Sequence, residues 1–163
     1  MNQDSKSLTP VIGNEPRVLI LGTLPGKESL RLNQYYANPR NLFWKIIYDI
    51  FLEQPDSDYG KKTQFAKLNK IAIWDVCEKA VRKTSLDSDI KNEKPNKINK
   101  LLKEYPSIKR IVFNGRKAEK LYDRYFNRFR YLEYYTFLST SPANTRHSYE
   151  AKFNCWKFIV SGL

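Results

Sequence analysis

Four short apolar runs, each bounded by turn-forming residues, constrain this chain more than anything else in it. They cover residues 17–21, 71–74, 108–113 and 134–138. Each is too short for a helix, and the first is apolar without interruption from Val18 to Leu21 before it meets Gly22. That pattern suits a strand buried on both faces of a parallel sheet. Helical periodicity fills the intervals. Leu42, Phe43, Ile46, Ile47, Ile50 and Phe51 form an apolar stripe, and Asn38-Pro39 ahead of it predicts a helix start with Asn as cap and Pro in the first helical position. A second helix over residues 95–104 places Ile98, Leu101 and Leu102 on one side. A third follows Gly115 with Ala118, Leu121, Tyr122, Tyr125 and Phe126, and a fourth follows Ser148 with Tyr149, Phe153, Trp156 and Val160. Strands alternating with helices predict an α/β fold in which a parallel sheet is covered on both faces. Residues 56–62 and 85–96 read as polar loops, there is no internal repeat, and residues 1–7 read as a flexible tail. Residues 8–163 are then one domain.

The chain has 163 residues, enough for one domain with a real core. An apolar fraction of 41% and an aromatic fraction of 14% exclude a disordered chain. No apolar run approaches the ~18 residues of a membrane span, and residues 1–9 are polar with no apolar signal region, so a cytoplasmic protein is expected. The two cysteines, Cys77 and Cys155, are too few for a four-thiolate metal site and read as buried, reduced and structural. His147 is the single histidine, which excludes a multi-histidine metal site. The net charge is +12. It reads either as a solubilising surface or as an electrostatic footprint for nucleic acid. Its distribution favours the second reading: residues 101–130 carry nine Lys or Arg against three acids, interleaved with Tyr122, Tyr125, Phe126 and Phe129.

A parallel sheet binds ligands beyond the carboxyl ends of its strands. The residues to weigh are therefore Gly22-Thr23-Leu24-Pro25-Gly26, Asp75, Asn114-Gly115 and Ser139-Thr140-Ser141-Pro142-Ala143-Asn144. Gly22 to Ser29 is not a nucleotide phosphate loop, because its glycines stand too close and Glu28 follows Lys27. It reads as a tight turn, with Gly for unusual φ and Pro for rigidity. Asn114 is either a turn residue or an amide offered to a ligand edge. Asp75 is either a site carboxylate or the cap of the next turn. Ser139 to Asn144 is either a simple Ser/Pro loop or a small-residue loop that approaches a phosphate backbone closely. In Ser85-Leu86-Asp87-Ser88-Asp89-Ile90, capping is the simpler role. Gln34-Tyr35-Tyr36-Ala37-Asn38-Pro39-Arg40-Asn41-Leu42-Phe43-Trp44 places aromatics, amides and a basic side chain together, which is poor material for a core and good material for holding a planar ligand.

Taken in order, these segments resemble the uracil-DNA glycosylase superfamily, closest to its hypoxanthine-DNA glycosylase branch. The anchors are Leu19 to Gly26, Gln34 to Trp44, Trp74-Asp75-Val76, Ser85-Leu86-Asp87-Ser88, Phe113-Asn114-Gly115 and Ser139 to Asn144. They span nearly the whole domain. The resemblance implies a three-layer α/β/α fold around a four-stranded parallel sheet. It also implies hydrolysis of the N-glycosidic bond of a deaminated base in DNA, with no metal or cofactor. Gly22, Thr23, Tyr36 and Asn114 fall at base-binding positions, Tyr36 as a stacking face and Asn114 as the base-reading amide. Many relatives carry Asp or Asn where this chain has Leu24, which cannot position water. In the hypoxanthine branch a catalytic Asn lies within Pro-Arg-Asn, here Asn41, and Asp75 is the second catalytic candidate. The expected DNA contacts are Pro25, Gly26, Lys27, Arg40, Arg116 and Arg146, with Ser141, Pro142, Ala143 and Asn144 as the loop that presses on the strand.

Such an enzyme must extrude the nucleotide, because a base inside a duplex hides its glycosidic bond. Hydrogen bonds to the departing base would carry most of the rate, since a neutral amide is a poor general base. With no lysine evidently aimed at the site, Lys27 apart, the expected enzyme is monofunctional and leaves an abasic site. It would act as a monomer on DNA containing hypoxanthine, with uracil or xanthine as further substrates. The alternatives are a non-catalytic nucleic-acid-binding domain on the same fold, which Leu24 slightly favours, and a hydrolase of free nucleosides.

Overall fold

A computed structural model of the chain describes residues 3–82, 84, 86 and 90–163. In chain order the elements are β1 (Gln3–Lys6), β2 (Val18–Gly22), α1 (Lys27–Leu32), α2 (Phe43–Ile50), α3 (Tyr59–Leu68), β3 (Ile71–Asp75) and β4 (Cys77–Arg82). They continue with β5 (Lys91–Pro95), α4 (Ile98–Glu104), β6 (Arg110–Asn114), α5 (Arg116–Tyr125), β7 (Glu133–Phe137), α6 (Tyr149–Trp156) and a closing 3₁₀ segment, Lys157–Gly162.

The four apolar runs become one parallel sheet in the order β3-β2-β6-β7. Alternate residues of each strand serve opposite cores, so β2 must be apolar throughout. Val18 and Ile20 pack with Ile71, Ile73, Val112, Phe43, Ile46, Ile47 and Trp156 on the face covered by α2, α3 and α6. Leu19 and Leu21 pack with Ala72, Ile111, Phe113, Leu101, Leu121 and Tyr122 on the face covered by α4 and α5. The result is the three-layer α/β/α architecture, with all five residues of β2 and of β6 buried.

The register fixes the site. Gly22 pairs with Asp75, and Leu21 pairs with Phe113, so Gly22 lies between Asp75 and Asn114 at the carboxyl edge of the sheet. From β2 the chain passes first to β3 on one side and later to β6 on the other. The edge between β2 and β6 is therefore the topological switch point, where α/β sheets open a crevice.

Several local expectations are corrected. The tail reading fails for Gln3–Lys6, which pairs antiparallel with β4. This strand is held by backbone hydrogen bonds rather than by an apolar pattern, so nothing in its composition announces it. Residues 85–96 are not loop throughout: Lys91–Pro95 forms β5, completing a second sheet in the order β1-β4-β5. Its sequence is Lys-Asn-Glu-Lys-Pro, polar and largely exposed, and carries no hydrophobic alternation. Ser85, Asp87, Ser88 and Asp89 lie outside the described residues. Residues 56–62 are loop only to Asp58, whose side chain caps α3 by accepting from Lys61 N at 2.8 Å. Asn38-Pro39 does not start α2. Asn38 Oδ1 closes a turn on Arg40 N at 2.9 Å, and the helix begins at Phe43. Cys77 is buried, whereas Cys155 is only partly so.

Candidate active site

The cleft at the switch point has a volume of about 350 Å³, within the rough 300–1,000 Å³ range of small-ligand sites. The first wall is Gly22 to Gly26. Neither glycine has positive φ; among the described glycines only Gly115 does, at 94°. Gly22 is needed for close approach instead. A Cβ there would lie 2.9 Å from Asp75 Oδ1. We expect Gly22→Ala to push the Asp75 carboxylate aside, lowering stability by about 1–3 kcal/mol and slowing the reaction; thermal unfolding and activity measured together check this. Thr23 and Leu24 are both buried, and Leu24 belongs to the core on the α4/α5 side.

Asp75 itself is 3% exposed. Ser7 Oγ donates to its Oδ2 at 3.3 Å, and the buried Asn96 holds the adjoining turn by donating to Asp75 O and Cys77 O. Burial first, and then the nearby Asp75 carboxylate, push the Tyr35 phenol well above its usual range. Asp75 is thus a carboxylate set among buried phenols and still lining the cleft.

The second wall is the irregular segment between α1 and α2. It is pinned from within: Ala37 N donates to Ser29 Oγ at 3.2 Å and Trp44 Nε1 to Tyr35 O at 2.9 Å. The expectation that this segment is poor core material holds for only part of it. Tyr35 and Trp44 are 3% and 5% exposed and belong to the core, although Tyr35 also borders the cleft. Tyr36 is different. It takes a left-handed φ of 56°, lines the cleft, and stacks one ring face on Phe43 at 3.8 Å between centroids. A non-glycine residue held in that region costs of order 1–3 kcal/mol and marks functional sites. Asn41 also lines the cleft, and its Oδ1 accepts from Phe43 N at 3.0 Å. Its carbonyl therefore opens α2, leaving the amide NH₂ as the end available to a ligand or water.

Asn114, at the end of β6, is 8% exposed. Its Nδ2 donates to Thr140 Oγ1 and its Oδ1 accepts from Thr140 N, both at 2.9 Å. Thr140 is fully buried, and its carbonyl accepts from Leu42 N at 3.1 Å. Reading the chain alone missed Thr140 as a site residue; the one signal was its place in the Ser139–Asn144 stretch. Gly115 follows, where glycine is required twice: its φ is positive, and a Cβ there would meet Ser139 Cβ at 3.0 Å.

The third wall is Ser139 to Asn144. Serine hydroxyls fold it on itself: Ser139 Oγ accepts from Ser141 N, and Ser141 Oγ from Ala143 N at 3.2 Å. Beneath it lies Lys152, 2% exposed, whose Nζ donates to Asn144 O at 2.9 Å. Burial pushes this ammonium below its usual range. The helical pattern gave no hint of that role. Lys152→Met keeps the apolar stem and removes a costly buried charge. We expect unchanged or raised thermal stability, with activity several-fold lower because the loop has lost its tether.

Most of the sequence-derived site residues meet at this cleft: Gly22, Thr23, Pro25, Gly26, Lys27, Tyr36, Asn41, Asp75, Asn114 and Ser141 to Asn144 all line it. Arg40, Arg116 and Arg146 do not, but each is exposed beside a wall, and none is in an ion pair among the described residues. The basic run 101–130 divides differently. Arg128 is paired with Glu119 and Asp123 at 2.8 Å, and Arg124 with Glu93. The interleaved Tyr122 is fully buried, with Phe126 packed against the same core. Among the described residues no cluster of three or more His, Cys, Asp or Glu could hold a metal ion, and no helix is long and apolar enough to cross a membrane.

Comparison with known proteins agrees with this geometry. The family profile of the uracil DNA glycosylase superfamily matches residues 10–160. A protein of Methanosarcina barkeri named hypoxanthine DNA glycosylase is 36% identical over 148 residues, covering 90% of this chain and 92% of its own length. One of the same name from Methanosarcina acetivorans is 41% identical over 109 residues, covering 66% and 69%. A solution NMR structure from Methanosarcina acetivorans, described as a candidate uracil DNA glycosylase, superposes with a TM-score of 0.82 at 34% identity and covers 97% of both chains. With its sheet order, its switch-point cleft and this match over nearly its whole length, the chain belongs to the uracil DNA glycosylase superfamily.

Proposed function

We propose that this DNA glycosylase flips a deaminated base, hypoxanthine first and uracil or xanthine as further substrates, into the cleft and hydrolyses its N-glycosidic bond. The observation that carries the reading is the convergence of Tyr36, Asn41, Asp75 and Asn114 on one cleft at the sheet's switch point. Two curated relatives named hypoxanthine DNA glycosylase support the choice of base.

In this reading the exposed Lys27, Arg40, Arg116 and Arg146 bind the DNA backbone, and Ser141 to Asn144 press against the strand. The extruded base stacks on the ring face of Tyr36 opposite Phe43. Cleavage develops negative charge on the departing base, and the free hydrogen of Asn114 Nδ2 stabilises it. Asn41 holds the attacking water through its amide NH₂. Because that group only donates, the proton released by the water needs an acceptor; of the two carboxylates lining the cleft, Glu28 is paired with Arg31 and Asp75 is the buried one. No covalent intermediate forms, and the product is an abasic site.

The test is a panel of duplexes, each containing one deoxyinosine, deoxyuridine or deoxyxanthosine, incubated with the protein and then treated with alkali. Strand breaks after alkali, and none before, are expected, fastest on deoxyinosine. Absence of breaks on all three would remove the proposal. Breaks before alkali would show a lyase step and direct attention to Lys27.

A further inference from the structure

We infer that Thr140 is a positioning residue that fixes which way the Asn114 amide faces, and thereby which base edge the cleft accepts. The inference deepens the proposed function and rests on it.

An asparagine amide can face either way, and the two orientations exchange donor and acceptor. Here Thr140 removes the choice. Its main-chain N–H can only donate, so the atom opposite it must be the oxygen, and it lies 2.9 Å from Asn114 Oδ1. Its hydroxyl accepts from Nδ2 at the same distance. Both contacts are buried, so water cannot replace either partner. A turned amide would set NH₂ against N–H.

With these two bonds made, Asn114 has one N–H and one oxygen lone pair left. They lie on opposite flanks of the amide, because Thr140 occupies the edge on which both atoms point forward, so only one of them meets the base. The free N–H complements a carbonyl, which hypoxanthine, xanthine and uracil carry. Adenine and cytosine carry an amino group in that place, a donor against a donor, and would need the amide turned. Guanine carries the same carbonyl and ring N–H as hypoxanthine, so Thr140 does nothing to exclude it. Thr140 also reaches the other side of the site. Its carbonyl holds Leu42 N at 3.1 Å, next to Asn41 and one residue before the N–H that Asn41 caps. One buried residue thus joins the base-reading amide to the turn that carries Asn41.

Two measurements test this. In the first, ¹⁵N spectra follow the Asn114 side-chain amide of the wild-type protein. Slow hydrogen exchange is expected, and its signals should move on adding free hypoxanthine and stay in place on adding adenine. Fast exchange, or equal movement with adenine, overturns the inference. This measurement needs neither a variant nor catalysis, so it stands even if the protein excises no base, a result that would defeat the proposed function instead. In the second, single-turnover excision from a deoxyinosine duplex compares Thr140→Val with Thr140→Ser. Loss of the hydroxyl acceptor should slow Thr140→Val by about tenfold at unchanged duplex affinity, while Thr140→Ser stays near wild type. A wild-type rate for Thr140→Val, or equal losses in both variants, overturns it.

Discussion

Replacing Asn114 with alanine is expected to slow base release by about 10²–10³-fold, the usual cost of removing one preorganised donor to a developing negative charge. Duplex affinity should change little, because backbone contacts supply most of it. The variant also loses both bonds to Thr140 and leaves a buried N–H without its partner, which should cost about 1–3 kcal/mol of stability. Single-turnover kinetics well below the unfolding midpoint separates the two effects. A rate within a few-fold of wild type would show that the leaving base is stabilised elsewhere.

The second large effect concerns Asn41, which has two duties in this account. Its Oδ1 opens α2 on Phe43 N, and its NH₂ holds the water. Alanine would remove both, so serine is the better probe: a serine hydroxyl closes the same short turn onto Phe43 N, more weakly than an asparagine, but offers no amide group. Asn41→Ser should unfold within a few degrees of wild type and hydrolyse about 10²-fold more slowly, in the range expected for loss of a group that handles the reacting water. A variant equally stable and fully active would transfer water placement to Asp75. In that event Asp75→Asn should be slower than Asn41→Ser, since it keeps the shape and removes only the negative charge.

The sheet was legible in the chain because β2, β3 and β6 are buried on both faces, which leaves continuous apolar runs such as Val18 to Leu21, while the partly exposed edge strand β7 is marked by its aromatics. The site was legible for a related reason: once the strands are placed, Gly22, Asp75 and Asn114 must stand at their carboxyl ends. What escaped has physical causes. β1 and β5 are polar strands held by backbone bonds at the surface, so no pattern of side chains marks them. Tyr35 reads like its neighbour Tyr36 and both border the cleft, yet Tyr35 is buried in the core and Tyr36 only partly so, a difference set by the left-handed φ of Tyr36 and the Trp44 bond to Tyr35 O. Thr140 and Lys152 act through contacts to residues 26 and 8 positions away, across the sheet edge and under a loop. Spacing along the chain does not encode such contacts.

The central claim is that the cleft is a hydrolytic site and not merely a place where DNA binds. Its most direct measurement is the release of free base from a duplex containing a single deoxyinosine, followed by chromatography and matched against abasic sites formed. The account predicts free hypoxanthine and abasic sites in equal amounts, with the DNA strand intact until alkali is added. Salt-dependent binding of the duplex with no hypoxanthine released would contradict it.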